Sequence, residues 1–145
     1  MDTVLQHRLN LSLLLLRIGV VIVMGIWTID KFVNPAHASA VFAHFYHISD
    51  LSVNTSYILG VLQLAIVVCF LAGFMRTWSY GLVFLMHAGS TLSSYARYIE
   101  PWEKTNLLFF AAWPMLAALA VLFILREYDN WTIDARRLQN SEAIS

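Results

Sequence analysis

Two side chains in this sequence interrupt apolar runs in a way that could do chemistry, Arg17 and His87. Arg17 lies inside LNLSLLLLRIGVVIVMGIWTIDKFVNP, the stretch from Leu9 to Pro35. A guanidinium keeps its charge at any ordinary pH, so in apolar surroundings it must find an acceptor. At 100° per helical step, Asn10, Met24, Thr28 and Lys31 share its face. Tyr80, His87, Thr91, Ser94 and Tyr98 form a similar stripe on another run, and Ser56 aligns with Gln63 on a third. Turned inward, the stripes gather Arg17, Lys31, Gln63, Tyr80, His87 and Thr91 into one candidate ligand-binding set. No pattern identifies a catalytic group.

Three acceptors are open to Arg17. Its side chain can extend toward the headgroups of a nearby membrane surface. It can clamp the fold by bonding Gln63, hydroxyls and backbone carbonyls. It can also hold a ligand acceptor such as a quinone carbonyl, a lipid phosphate or a carboxylate. The apolar runs contain no acidic residue, so no carboxylate is expected at the depth of Arg17, which helical rise places near that of His87. His87 has no second in-run histidine to complete a bis-histidine haem, and reads as a hydrogen-bonding core residue, a proton carrier or a quinone ligand. His37, His44, His47 and Asp50 lie close in sequence. His44, His47 and Asp50 could contribute two imidazoles and a carboxylate to zinc or copper, but they complete no metal motif.

The elements that must position these groups follow from composition. Of 145 residues, 59% are hydrophobic and 12% charged, about half the charge of an ordinary soluble domain. The formal net charge is zero with no basic patch, which gives no support for nucleic-acid binding. Cys69 is the single cysteine, so an internal disulfide and a thiolate cluster are excluded. There is no Walker loop, dinucleotide glycine fingerprint or HExxH, so neither a nucleotide nor a covalent cofactor is expected.

Four apolar segments, about 9–29, 57–74, 78–97 and 106–125, approach the length that crosses a bilayer as a helix. Trp27, Tyr57, Trp78, Tyr98, Trp102, Tyr128 and Trp131 near their ends suit interfacial belts. The first run is longer than a secretory h-region and is broken by Arg17, which disfavours a cleaved signal. Asn34-Pro35 starts a short surface helix over about 35–48 in the first outer loop. Pro114 predicts a kink in the fourth run, and the polar tail 126–145 is expected to fray after Leu138. Arg8, Arg76, Arg126, Arg136 and Arg137 fall on the side of the termini, against Lys31, Arg97 and Lys104 opposite. This bias predicts cytoplasmic termini.

The expected architecture is therefore all-α, a single integral membrane domain forming a four-helix bundle with one surface helix. At Arg17-Ile18-Gly19, followed by an apolar run to Trp27 and then Asp30-Lys31-Phe32, the chain resembles the DoxX-like family of small four-helix bacterial membrane proteins. The glycine-containing second segment ending at Gly73, the basic turn at Arg76 and the proline of the fourth segment agree more loosely. The resemblance implies an inner-membrane accessory or quinone-facing subunit of a membrane oxidoreductase system. Quinone would be the cofactor, and Arg17 and Lys31 the family's polar positions. Membrane lipid, oxidoreductase subunits or further copies of the chain would be its partners. A non-catalytic assembly protein is the alternative, and small-molecule passage a weaker third.

Overall fold

A computed structural model describes residues 2–49 and 51–142. These residues form helices and connecting turns, with no strand among them. The chain runs through α1 (Thr3–Val33), α2 (Pro35–Tyr46), α3 (Val53–Ala72), α4 (Arg76–Ser93), α5 (Tyr95–Ile99), a 3-10 turn (Asn106–Ala111), α6 (Ala112–Ile124), a second 3-10 turn (Arg126–Tyr128) and α7 (Ile133–Glu142). Three helical stretches are long and apolar enough to cross a membrane: α1, α3 and the continuous 106–124 segment. The 18 residues of α4 carry too much polar character to be counted with them.

Local signals explain the breaks. Asp2 caps α1 by accepting the Val4 amide at 3.3 Å, so the helix begins before the apolar run does. Asn34 ends α1 and caps α2, accepting the His37 amide at 3.2 Å with Pro35 at the first helical position. Ser52 caps α3 through the Thr55 amide. That helix closes at Gly73 with φ +62°, where the Phe74 amide reaches Cys69 O and the Gly73 amide reaches Phe70 O. The Ser93 and Ser94 hydroxyls both donate to Ser90 O, competing with the helical ladder, and the helix divides there into α4 and α5.

Just before Pro114, where a kink is expected, the helix changes type. The chain is a 3-10 helix up to Ala111, and Pro114 falls in the first turn of α6, where its missing N–H leaves no ladder bond unmade. The tail departs from expectation: it continues as α7 to Glu142 instead of fraying after Leu138.

The helices pack mainly as α1 on α3, α3 on α4 and α4 on α6. Leu13, Val20 and Met24 of α1 meet Val67 and Phe70 of α3, Tyr80 and Val83 of α4, and Leu119 and Leu122 of α6 in a single core. On α1 the buried positions are Asn10, Leu13, Arg17, Val20, Met24 and Thr28, spaced three or four residues apart, which makes a continuous seam. The polar stripes therefore turn inward. Gly60 lets α3 approach α1 closely, since a Cβ there would lie 2.7 Å from the Phe32 ring.

Candidate functional site

Three of the inward polar residues, Asn10, Arg17 and Tyr80, meet at the end of the molecule where α1 begins, α3 turns into α4, and the tail returns. The Cα–Cβ bond of a helical residue tilts toward the helix N-terminus, so Arg17 directs its long side chain toward this end. Its Nη1 donates to Leu71 O at 3.1 Å and its Nη2 to Trp131 O at 2.9 Å. Its Nε lies 3.6 Å from Asp129 Oδ2. The side chains are 1% and 0% exposed, so the two opposite charges are sealed together.

This overturns the expectation that Arg17 has no carboxylate at its own depth. The acid comes from beyond the last apolar run. Tyr80 donates its hydroxyl to Asp129 Oδ2 at 2.9 Å, while Phe70 packs edge-on against the Tyr80 ring at 4.9 Å. Asp129 Oδ1 and Arg17 Nε are buried and have no hydrogen-bond partner among the described residues.

The backbone around Asp129 is held as firmly as its side chain. Arg76 Nη1 donates to Arg126 O at 2.7 Å and to Asp129 O at 3.0 Å, and Thr132 Oγ1 donates to the same Asp129 carbonyl. Thr132 also accepts the Ala135 amide and so caps α7. Asp134 then reaches across to α4. Its two oxygens accept the Met75 and Arg76 amides at 3.2 and 2.8 Å, at a helix end with no side-chain cap of its own. Asn10 accepts the Asn130 amide and Gln6 donates to Tyr128 O, closing the tail onto α1. Gly73 makes room for the return: a Cβ there would strike Thr132 and stand 2.9 Å from Arg17 Nη1.

The sequence-derived ligand set is only partly brought together. Arg17 and Tyr80 meet through Asp129. Lys31 donates to Trp27 O, one turn back in its own helix. His87 donates through Nε2 to Ala112 O at 3.0 Å, joining α4 to α6, and Thr91 donates to His87 O. Two helical turns separate His87 from Tyr80, about 10 Å along the axis, so His87 is not level with the Arg17 guanidinium. The Gln63 side chain is buried and makes no hydrogen bond among the described residues.

The histidines of the first loop also find other roles. His37 Nδ1 contacts Asp30 Oδ2 at 2.7 Å. Arg97 Nη2 lies 2.6 Å from His44 Nε2; a guanidinium only donates, so His44 is the acceptor. Among the described residues no group of three His, Cys, Asp or Glu could hold a metal ion, and Asp50 lies outside them.

Reading the sequence run by run overlooked Asp129 and Asp134, and it gave Arg76 only as a basic turn, whereas Gly73 is the close-packing position its type suggests. One signal for Asp129 was present: a buried arginine requires a counter-charge, and Asp129 is among the first acids after the last apolar run. Chemically the cluster is one ion pair closed in by hydrogen bonds to Arg17 Nη1 and Nη2 and to Asp129 Oδ2, with Arg17 Nε and Asp129 Oδ1 left without hydrogen-bond partners among the described residues. Neither Arg17, Gln63 nor His87 lines either of two surface clefts, one between α4 and α7 and one along Tyr57–Leu62 of α3. Compared with family models, curated proteins and solved structures, the chain finds no match.

Proposed function

We propose that the chain is a DoxX-like four-helix protein of the bacterial inner membrane, with both termini cytoplasmic, that serves as an accessory subunit of a quinone-linked oxidoreductase assembly. In this reading α4 is the fourth crossing, its polar stripe covered by α3 and α6. The observation that carries the accessory form is the closure of Arg17 on Asp129, Leu71 O and Trp131 O. The group best suited to greet a quinone carbonyl is already occupied by the chain's own acceptors, so the polar interior serves stability.

The exterior is where a partner would be met. Ile22, Ile26, Ile58, Val61, Leu85 and Leu108 all present well-exposed side chains, an apolar surface suited to lipid or to neighbouring spans.

Mild-detergent extraction from native membranes, followed by crosslinking and mass spectrometry, tests the reading. The expected result is a fixed set of membrane oxidoreductase subunits attached to the chain, with Arg17→Ala lowering its thermal stability. A monodisperse chain that carries one quinone, and loses it in a normally stable Arg17→Gln variant, would instead establish a quinone site at Arg17.

A further inference from the structure

A cleft of about 520 Å³ opens between the start of α4 and the side of α7. Its α7 wall is Asp134, Arg137, Leu138 and Ser141, spaced three, four and seven residues from the first, hence one face of that helix. The facing wall includes Thr77 and Trp78.

The two carboxylates in the wall are already engaged. Asp134 holds the first amides of α4 and lies 3.9 Å from Arg76 Nε, while Glu127 lies 3.7 Å from Arg76 and 3.4 Å from Arg126. Arg137 is held differently, its guanidinium carbon 4.9 Å from the centre of the Phe74 ring. Stacking of that kind leaves the planar edge able to take an oxyanion in a two-pronged grip. Thr77 Oγ1 accepts from Arg126 Nε, which leaves its own O–H to donate. The lip is apolar: Trp78 is 68% exposed and Leu138 56%.

The Arg137 guanidinium and the Thr77 hydroxyl beside an apolar lip match an amphiphile whose head is an anion. Trp78 at the start of α4 is the residue type that marks a membrane interface. We propose that this cleft binds an anionic phospholipid of the phosphatidylglycerol class, its phosphate on Arg137 and Thr77 and its acyl chains over Trp78 and Leu138. The net charge of this end is nearly balanced, so selectivity comes from the placed guanidinium and not from a diffuse basic field. The proposal rests on the membrane placement given above and adds a defined lipid site to it.

The test uses the purified full chain, first checked for retention in carbonate-washed membranes. It is then presented in detergent with equal phosphatidylglycerol and phosphatidylcholine, and bound lipid is counted by native mass spectrometry. Phosphatidylglycerol should be retained about five-fold over phosphatidylcholine, the factor equivalent to ~1 kcal/mol for one arginine at an anionic surface. Arg137→Gln should bring the two lipids to parity, and Ser141→Phe, which fills the cleft from α7, should do the same. Arg8→Gln, at the same end but outside the cleft, should keep the preference. Equal retention by the unaltered chain, or a preference that survives both cleft variants, overturns the proposal. So does inorganic phosphate that displaces the lipid at millimolar concentration, which would assign the site to free phosphate. A chain that washes out of the membranes defeats the membrane reading itself, whereas an embedded chain without lipid preference defeats only this site.

Discussion

Asp129 Oδ2 lies 3.6 Å from Arg17 Nε, bringing an acid of the carboxyl-terminal tail under the first helix. Burying either charge alone would cost several kcal/mol, and attraction in a dry interior offsets that cost only when both are present. The tail thus completes the bundle, since α1 cannot comfortably bury its seam until residue 129 is in place.

Removing one partner should therefore be worse than removing both. Arg17→Met or Asp129→Leu alone should destabilise the chain by about 3–5 kcal/mol. The double variant should recover part of this, held short of full recovery by the carbonyls of Leu71 and Trp131 and the Tyr80 hydroxyl, which lose their partners. Reversible unfolding in mixed micelles measures it; a double variant whose loss equals the sum of the singles would contradict the coupling.

Gly73 is expected to tolerate no side chain. Gly73→Ala meets a left-handed φ of +62°, Thr132 and Arg17 Nη1, and should cost at least ~2 kcal/mol. Gly19 and Gly89 are helical with no atom within 4 Å of an added Cβ. Alanine at those two should be neutral or stabilising by up to ~1 kcal/mol. Thermal midpoints of the three variants decide the matter, and a Gly73→Ala protein melting with the other two would refute the close packing.

Asp134→Ala removes the carboxylate that accepts the Met75 and Arg76 amides at the start of α4. A lost cap of this kind costs about 0.5–2 kcal/mol. The signature is local: amide exchange should quicken over Arg76–Tyr80 before it changes in α3. Unaltered exchange there would mean that water caps the helix equally well.

His87→Ala breaks the bond from Nε2 to Ala112 O and should lower stability by about 1 kcal/mol. His87→Gln keeps a donor at similar reach and should lose less. If the alanine variant proves fully stable yet abolishes the quinone-linked activity proposed above, His87 belongs to a ligand site and its α4–α6 contact is incidental to stability.

Helical character, the inward direction of the polar stripes and several helix ends were legible in the sequence because they depend on neighbours in the chain. Asn34-Pro35 starts α2 by a contact three residues long, whereas α3 begins at Val53, ahead of the apolar run expected from about 57. The 100° step put Arg17 with Asn10 and Thr28, and Ser56 with Gln63, and all five are buried. Pro114 marked a break in the fourth run, where a 3-10 turn gives way to α6, but not the helix type on either side.

The sequence by itself determined an all-helical chain with an apolar exterior and a charged residue that needed an acceptor, since composition and periodicity act through local geometry. Only the tertiary structure decided which acceptor that was. Asp129 is distant along the chain and lies outside every apolar run, so no spacing rule links it to Arg17. Their meeting depends on Gly73 leaving space, on Arg76 gripping the carbonyls of Arg126 and Asp129, and on Asp134 fastening α7 to α4. Those are long-range contacts, made once the helices have packed and a buried charge makes any other ending of the chain more costly.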